Sequence, residues 1–264
     1  MLKQIGLLAV AFVGVSGPLL AGTEFQRASH MLEAFSAELR EAAEERDAAK
    51  FPPKEYNRRL SMIEAAVNQA IVSAVNARSR PSAGELDDEL RHALSPREAD
   101  TNLASVLACE FSGRSYYVVA YALAVGAIAS RSWIGVVGPR EDGKPYEVLA
   151  SVEDSLADKT VAIQSVGSVG NGAPTFLAYG TNWGDPHSHL TVILYRFDGH
   201  ALNALLTRPL LTQGQVKVEG DKLQLTFLTV ARGPGYPPAP ERTEIYRLTA
   251  SGIKLEKTWE DKPK

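Results

Sequence analysis

The sequence predicts an α+β protein: an N-terminal helical hairpin plus short helices, then an antiparallel β-meander of about ten strands. Three observations predict it. Apolar residues recur at steps of three and four between Phe25 and Ala77, and Pro52-Pro53 interrupts that series. Beyond Gly113, β-branched and aromatic runs alternate with turn dipeptides. A layered sheet, a sandwich and a propeller-like arrangement all satisfy the β pattern. The organisation that follows is a signal peptide over 1–22, a helical region over 23–112 and an antiparallel β-rich domain over 113–264.

The opening segment sets the address. Lys3 supplies its only charge, Ile5 to Val15 is apolar apart from glycines, and Gly17-Pro18 breaks the run before the small residues Ala21 and Gly22. This is the order of a secretory signal: basic start, apolar middle, small-residue cleavage region. A membrane-spanning helix needs roughly 20 apolar residues, and the breaker arrives sooner. An uncleaved anchor is the alternative. The expectation is an exported chain, periplasmic or extracellular, with no membrane span once the signal is removed. Cleavage there leaves Thr23 at the new start, where Thr23 and Gln26 have capping-box spacing.

The first helical face is Phe25, Ala28, Leu32, Phe35, Leu39 and Ala42, running to about Ala49, with Glu33, Arg40, Glu41, Glu44 and Glu45 opposite. The second is Tyr56, Leu60, Ile63, Val67, Ala70, Ile71 and Ala74. Two amphipathic helices joined by a breaker fold back as an antiparallel hairpin; self-association through the first face is the competing use. Ser82 with Glu85 and Ser95 with Glu98 both have capping-box spacing, so short helices are expected over about 85–94 and 97–108.

Strands are expected near 116–124, 131–138, 145–152, 159–166, 174–181, 189–197, 201–207, 214–219, 222–230, 242–249 and 253–259. Both faces of Leu190 to Phe197 are apolar, which places that strand inside a layered structure. Val216 and Val218 alternate with Gln215, Lys217 and Glu219, which marks a solvent-facing strand. The segment from Tyr116 to Ala129 has the composition of a strand or a buried helix, and its aromatic and β-branched start favours the strand. Leu194-Tyr195-Arg196-Phe197 echoes Ile245-Tyr246-Arg247-Leu248, and the interval is close to a four-stranded propeller blade; strand-turn chemistry alone also produces such echoes.

Composition excludes several functions. The net charge is −3 with bases and acids interspersed, so the clustered cations that nucleic acid requires are lacking. Cys109 is the single cysteine, so no internal disulfide forms, and its apolar neighbours mark a buried, inert thiol. Gly167 to Gly172 lacks the order of a phosphate loop and reads as a turn. Glu44-Glu45 and Asp87-Asp88-Glu89 read as solvated helix faces, and no cofactor or catalytic motif is recognisable.

Function is therefore sought in the long connections. Parity in a meander gathers the loops after 181, 207 and 230 at one edge, and long loops are retained for binding. That edge carries Trp183, Asp185, His187, Arg208 and Tyr236 as candidate ligand or partner contacts, and points to a non-enzymatic binding or protein-interaction module. The alternative is a hydrolase, metal-assisted, centred on Asp185, His187 and His189, since alternate residues of an extended segment point the same way. A scaffold assembling through the helical hairpin is a third reading.

Overall fold

The structure, a computed structural model, describes residues 17–44, 52–78, 80–94, 103–125, 129–153, 156, 160–169, 172–183, 188–229, 239–249 and 252–261. Helix α1 spans Gly17–Glu44, α2 Pro53–Ala77 and α3 Ala83–Leu94. The expected apolar faces are the buried ones: Phe25, Ala28, Leu32 and Phe35 on α1 meet Leu60, Ile63, Val67, Ala70, Ile71 and Ala74 on α2 in one core, and Ala42 of α1 is buried as well. Phe35 packs on the Tyr56 ring at 5.4 Å, and Arg59 of α2 pairs with Glu38 of α1 at 3.1 Å, as an antiparallel hairpin requires.

The Ser82–Glu85 box starts α3 as expected. Glu85 N–H donates to Ser82 Oγ at 3.2 Å, and Ser82 N–H donates back to Glu85 Oε2 at 2.8 Å. These bonds hold the Glu85 carboxyl below its ordinary range. With residues 17–22 ahead of Thr23, α1 runs straight through that residue, because Pro18 falls in the first turn, where no intrahelical donor is missed.

Among the described residues eleven strands follow: β1 Ala104–Phe111, β2 Arg114–Val125, β3 Ala129–Pro139, β4 Tyr146–Glu153, β5 Thr160–Val169, β6 Ala173–Trp183, β7 Ser188–Phe197, β8 Leu202–Glu219, β9 Lys222–Leu228, β10 Glu241–Thr249 and β11 Gly252–Asp261. They form two antiparallel sheets, one ordered β1-β2-β3-β4 and one β11-β10-β9-β8-β7-β6-β5.

Strand β1 corrects the expectation of a helix over 97–108. Its register runs from Ala104↔Tyr121 to Phe111↔Arg114, closed by Ser112 and Gly113 at φ 51° and 75°. Two residues with positive φ are what a type I′ hairpin needs. Strand β2 is buried on both faces from Tyr116 to Leu123 and flanked on its other edge by β3, so pairing with β1 covers its remaining backbone groups. That requirement overrides the local helix-start signal, whose own residues, 95–102, lie outside the described ones.

The layers stack in order. Tyr117 and Tyr121 of β2 face the helices: Tyr117 OH donates to Pro81 O at 2.6 Å, and Tyr121 OH to Asn68 Oδ1 at 2.9 Å. The opposite face of the four-stranded sheet meets β5–β7, with Tyr116 edge-on to Phe197 at 5.5 Å. Phe176, Ala178, Ile193, Tyr195 and Phe197 belong to that core. The other face of the same strands, Leu177, Leu190, Val192 and Leu194, joins Leu223, Leu225, Phe227, Tyr246 and Leu248 in a second core. The seven-stranded sheet is thus folded over on itself. Each fully buried leucine there contributes about 1.5–3 kcal/mol.

As the alternating pattern required, β7 is buried on both faces, and along β8 Gln215, Lys217 and Glu219 are exposed between half-buried Val216 and Val218. The layered alternative is the one adopted. The two echoed segments sit in unlike settings: Tyr195 packs on Phe176 between the sheets, whereas Tyr246 hydrogen-bonds Glu244 in the second core.

Candidate functional site

The sheet folds over at β8, and this turning point organises the candidate rim. Sequence periodicity separates strands at 201–207 and 214–219 with a loop between them; instead β8 is continuous through that interval. Its first half pairs with β7 up to His189↔Thr212, and its second half pairs with β9 from Thr212↔Leu228. The ladder shifts register on either side of Thr212, and Leu210 and Gln213 take φ values of 53° and 48°. The loop expected after 207 is therefore a double bulge, which breaks the parity count that grouped three loops.

The other two connections nevertheless start from one line. Asn182↔His189, His189↔Thr212, Thr212↔Leu228 and Leu228↔Glu241 form one row across β6 to β10. The connection after Trp183 leaves this row on one side of the β8 centre and the connection after Leu228 leaves it on the other, because the two halves of β8 have different partners.

The expected site residues distribute as follows. Trp183 is the last residue of β6, paired with Ser188. Asp185, His187 and Tyr236 lie outside the described residues. His189 is on the row itself, its Nδ1 3.5 Å from Thr212 Oγ1. Of the three residues of the metal reading, only His189 is thus placed. Arg208 is committed to the fold: its Nη2 donates to Glu244 Oε1 at 2.9 Å, and its guanidinium lies over the Phe227 ring at 5.4 Å. Glu244, 2 % exposed, also meets Arg242 at 3.1 Å and accepts from Tyr246 OH at 2.7 Å. Burial and this hydrogen bond push the Tyr246 phenol up to about 12.

Two polar atoms near the row, Asn182 Oδ1 and Arg208 Nε, are buried with no hydrogen-bond partner among the described residues. Leu210 has the opposite anomaly. It is a large apolar side chain, 61 % exposed, held in a left-handed backbone conformation by an N–H bond to Thr191 Oγ1 at 3.4 Å. Such a conformation costs a leucine about 1–2 kcal/mol.

A second polar constellation escaped the sequence reading. Glu64 on α2, 7 % exposed, lies under the helical hairpin with Arg131 Nη1 3.6 Å from its Oε2 and the Glu153 carboxyl of β4 near enough to act on its charge. Burial first, and the Glu153 charge second, raise its carboxyl from 4.5 to about 7. The signal was present: Leu60, Glu64, Val67 and Ile71 continue one helical stripe, so an acid occupies an apolar position.

The remaining candidates resolve structurally. Cys109 borders a small cavity of about 210 Å³ between β1 and β5–β6, and burial raises its thiol to about 11. Gly167 to Val169 end β5 and Ala173 begins β6, so no helix N-terminus follows that glycine segment. Asp87 and Glu89 are not simply solvated; they pair with Arg91 at 2.8 Å and with Arg78. A groove of about 700 Å³ runs between α1 and α3, with Phe25 and Ala93 among its apolar lining and His30, Glu33 and His92 among its polar lining.

No protein-family model matches the chain, and comparison with curated proteins likewise finds no match.

Proposed function

We propose that this is an exported, non-enzymatic binding module whose contact surface centres on the middle of β8, with Leu210 as an apolar contact and Trp183, Asp185, His187 and Tyr236 as its further candidate contacts. The observation that carries the reading is Leu210. A strained backbone conformation persists where the surrounding structure enforces it, and here the enforced result is an exposed leucine in the bulge two residues before Thr212, on the row from which both long connections depart. Strain that presents an apolar side chain to solvent destabilises the free fold and is repaid when a partner covers it.

Leu210→Gly separates the two roles. Glycine accepts positive φ freely, so the variant is expected to gain about 1 kcal/mol in denaturant unfolding while losing capture of a partner from native extract. Trp183→Ala with Tyr236→Ala is expected to abolish capture as well. Undiminished capture by both variants removes the reading, and a stoichiometric metal ion lost on His187→Ala would replace it with the hydrolase.

A further inference from the structure

We propose that Glu64, Glu153 and Arg131 form a proton-linked clasp that seats the α1–α2 hairpin on the four-stranded sheet, closed while Glu64 is protonated and loosened when it ionises beside Glu153.

The geometry supplies two acids and one base at the seam between layers. Glu64 comes from α2, Glu153 from the end of β4 and Arg131 from β3. Arg131 Nη1 pairs with Glu64 Oε2 at 3.6 Å, longer than a hydrogen bond, and also donates to Ser61 Oγ at 2.9 Å. Glu64 Oε2 is buried and accepts no hydrogen bond among the described residues. Among the described residues its neutral neighbours include Tyr121 of β2, whose OH stands 3.4 Å from the Glu64 carbonyl and 2.9 Å from Asn68 Oδ1. Among the described residues, Glu153 and Arg131 are the charged groups acting on Glu64, one cation against two carboxyls. A buried carboxylate so poorly compensated takes a proton.

The sign follows from linkage. The folded carboxyl titrates near 7 and the free one near 4.5. Between those values the seated hairpin holds a proton that the released one does not, so seating weakens as pH rises from about 4.5 to about 7 and is constant above. A shift of that size is at most about a 300-fold change in the opening equilibrium, and solvent screening through the exposed Glu153 reduces it to about 10- to 100-fold.

The test is amide hydrogen exchange on the full chain at pH 5 and pH 8, corrected for intrinsic chemical rates. Protection of the α2 amides is expected to fall about 10- to 100-fold at the higher pH, with β7 amides unchanged. Glu64→Gln, which imitates the protonated acid, should make α2 protection independent of pH. Glu153→Gln, which removes the like charge, should shrink the change, and it decides the matter should the first variant not fold. Wild-type α2 protection that is flat with pH, a pH response that survives Glu64→Gln, or an equal change in β7 overturns the clasp.

Discussion

Replacing Gly135 with alanine tests the packing of the four-stranded sheet at its tightest point. Gly135 follows Trp133 by two residues on β3, so both address the same face, and the indole lies flat across the glycine. A Cβ built there would stand 2.1 Å from Trp133 Cη2 and 2.4 Å from Cζ2. Carbon atoms pack at about 3.5–4.0 Å, so the ring must retreat by more than about 1 Å. It has nowhere to go, being 1 % exposed and stacked on Tyr121 at 5.2 Å. Overpacking costs about 1–3 kcal/mol, and expelling the ring costs about 3–5 kcal/mol, as truncating a buried tryptophan does. We expect Gly135→Ala to lose about 3 kcal/mol in urea unfolding, with the slope of the transition unchanged. In a Trp133→Leu background the same substitution should cost about 1 kcal/mol or less, a coupling of about 2 kcal/mol. A loss under about 0.5 kcal/mol, or equal losses in both backgrounds, refutes the account.

Two further outcomes follow from the folded-over sheet and from the half-buried thiol. Arg208→Ala removes one of two cations from buried Glu244 while Arg242 and Tyr246 remain, so a loss of about 1–3 kcal/mol is expected in denaturant unfolding; a stability within about 0.5 kcal/mol of wild type would contradict the assigned pairing. With the Cys109 thiol at about 11, only about one part in a thousand is thiolate at pH 8. Iodoacetamide should leave Cys109 unmodified in the native protein and label it on unfolding, with mass measured on the intact chain; rapid native labelling would show the thiol to be accessible and activated.

Much of the fold was legible because its signals are local and periodic. The α1 and α2 faces, the Ser82–Glu85 cap, the doubly buried β7 and the half-exposed end of β8 each follow from spacing within one element. The candidate rim was legible only in part. Sequence parity gathered the connections after β6 and β9, but through a loop at 208–213 that does not exist; the shared row arises from the exchange of partners along β8. Glu64 and Glu153 went unpaired in the sequence reading because 89 positions and a change of layer separate them.

By itself, then, the sequence determined which residues face inward along each helix and strand, since hydrophobic periodicity and turn chemistry act over a few residues. Only the tertiary structure decided that 104–111 is a strand, that β8 bends rather than ends, and that Arg208 serves a buried glutamate. The physical reason is the same in each case. Backbone pairing, layer burial and charge compensation are settled by partners distant in the chain, and where such a partner satisfies a buried group that water no longer reaches, it outweighs the local preference.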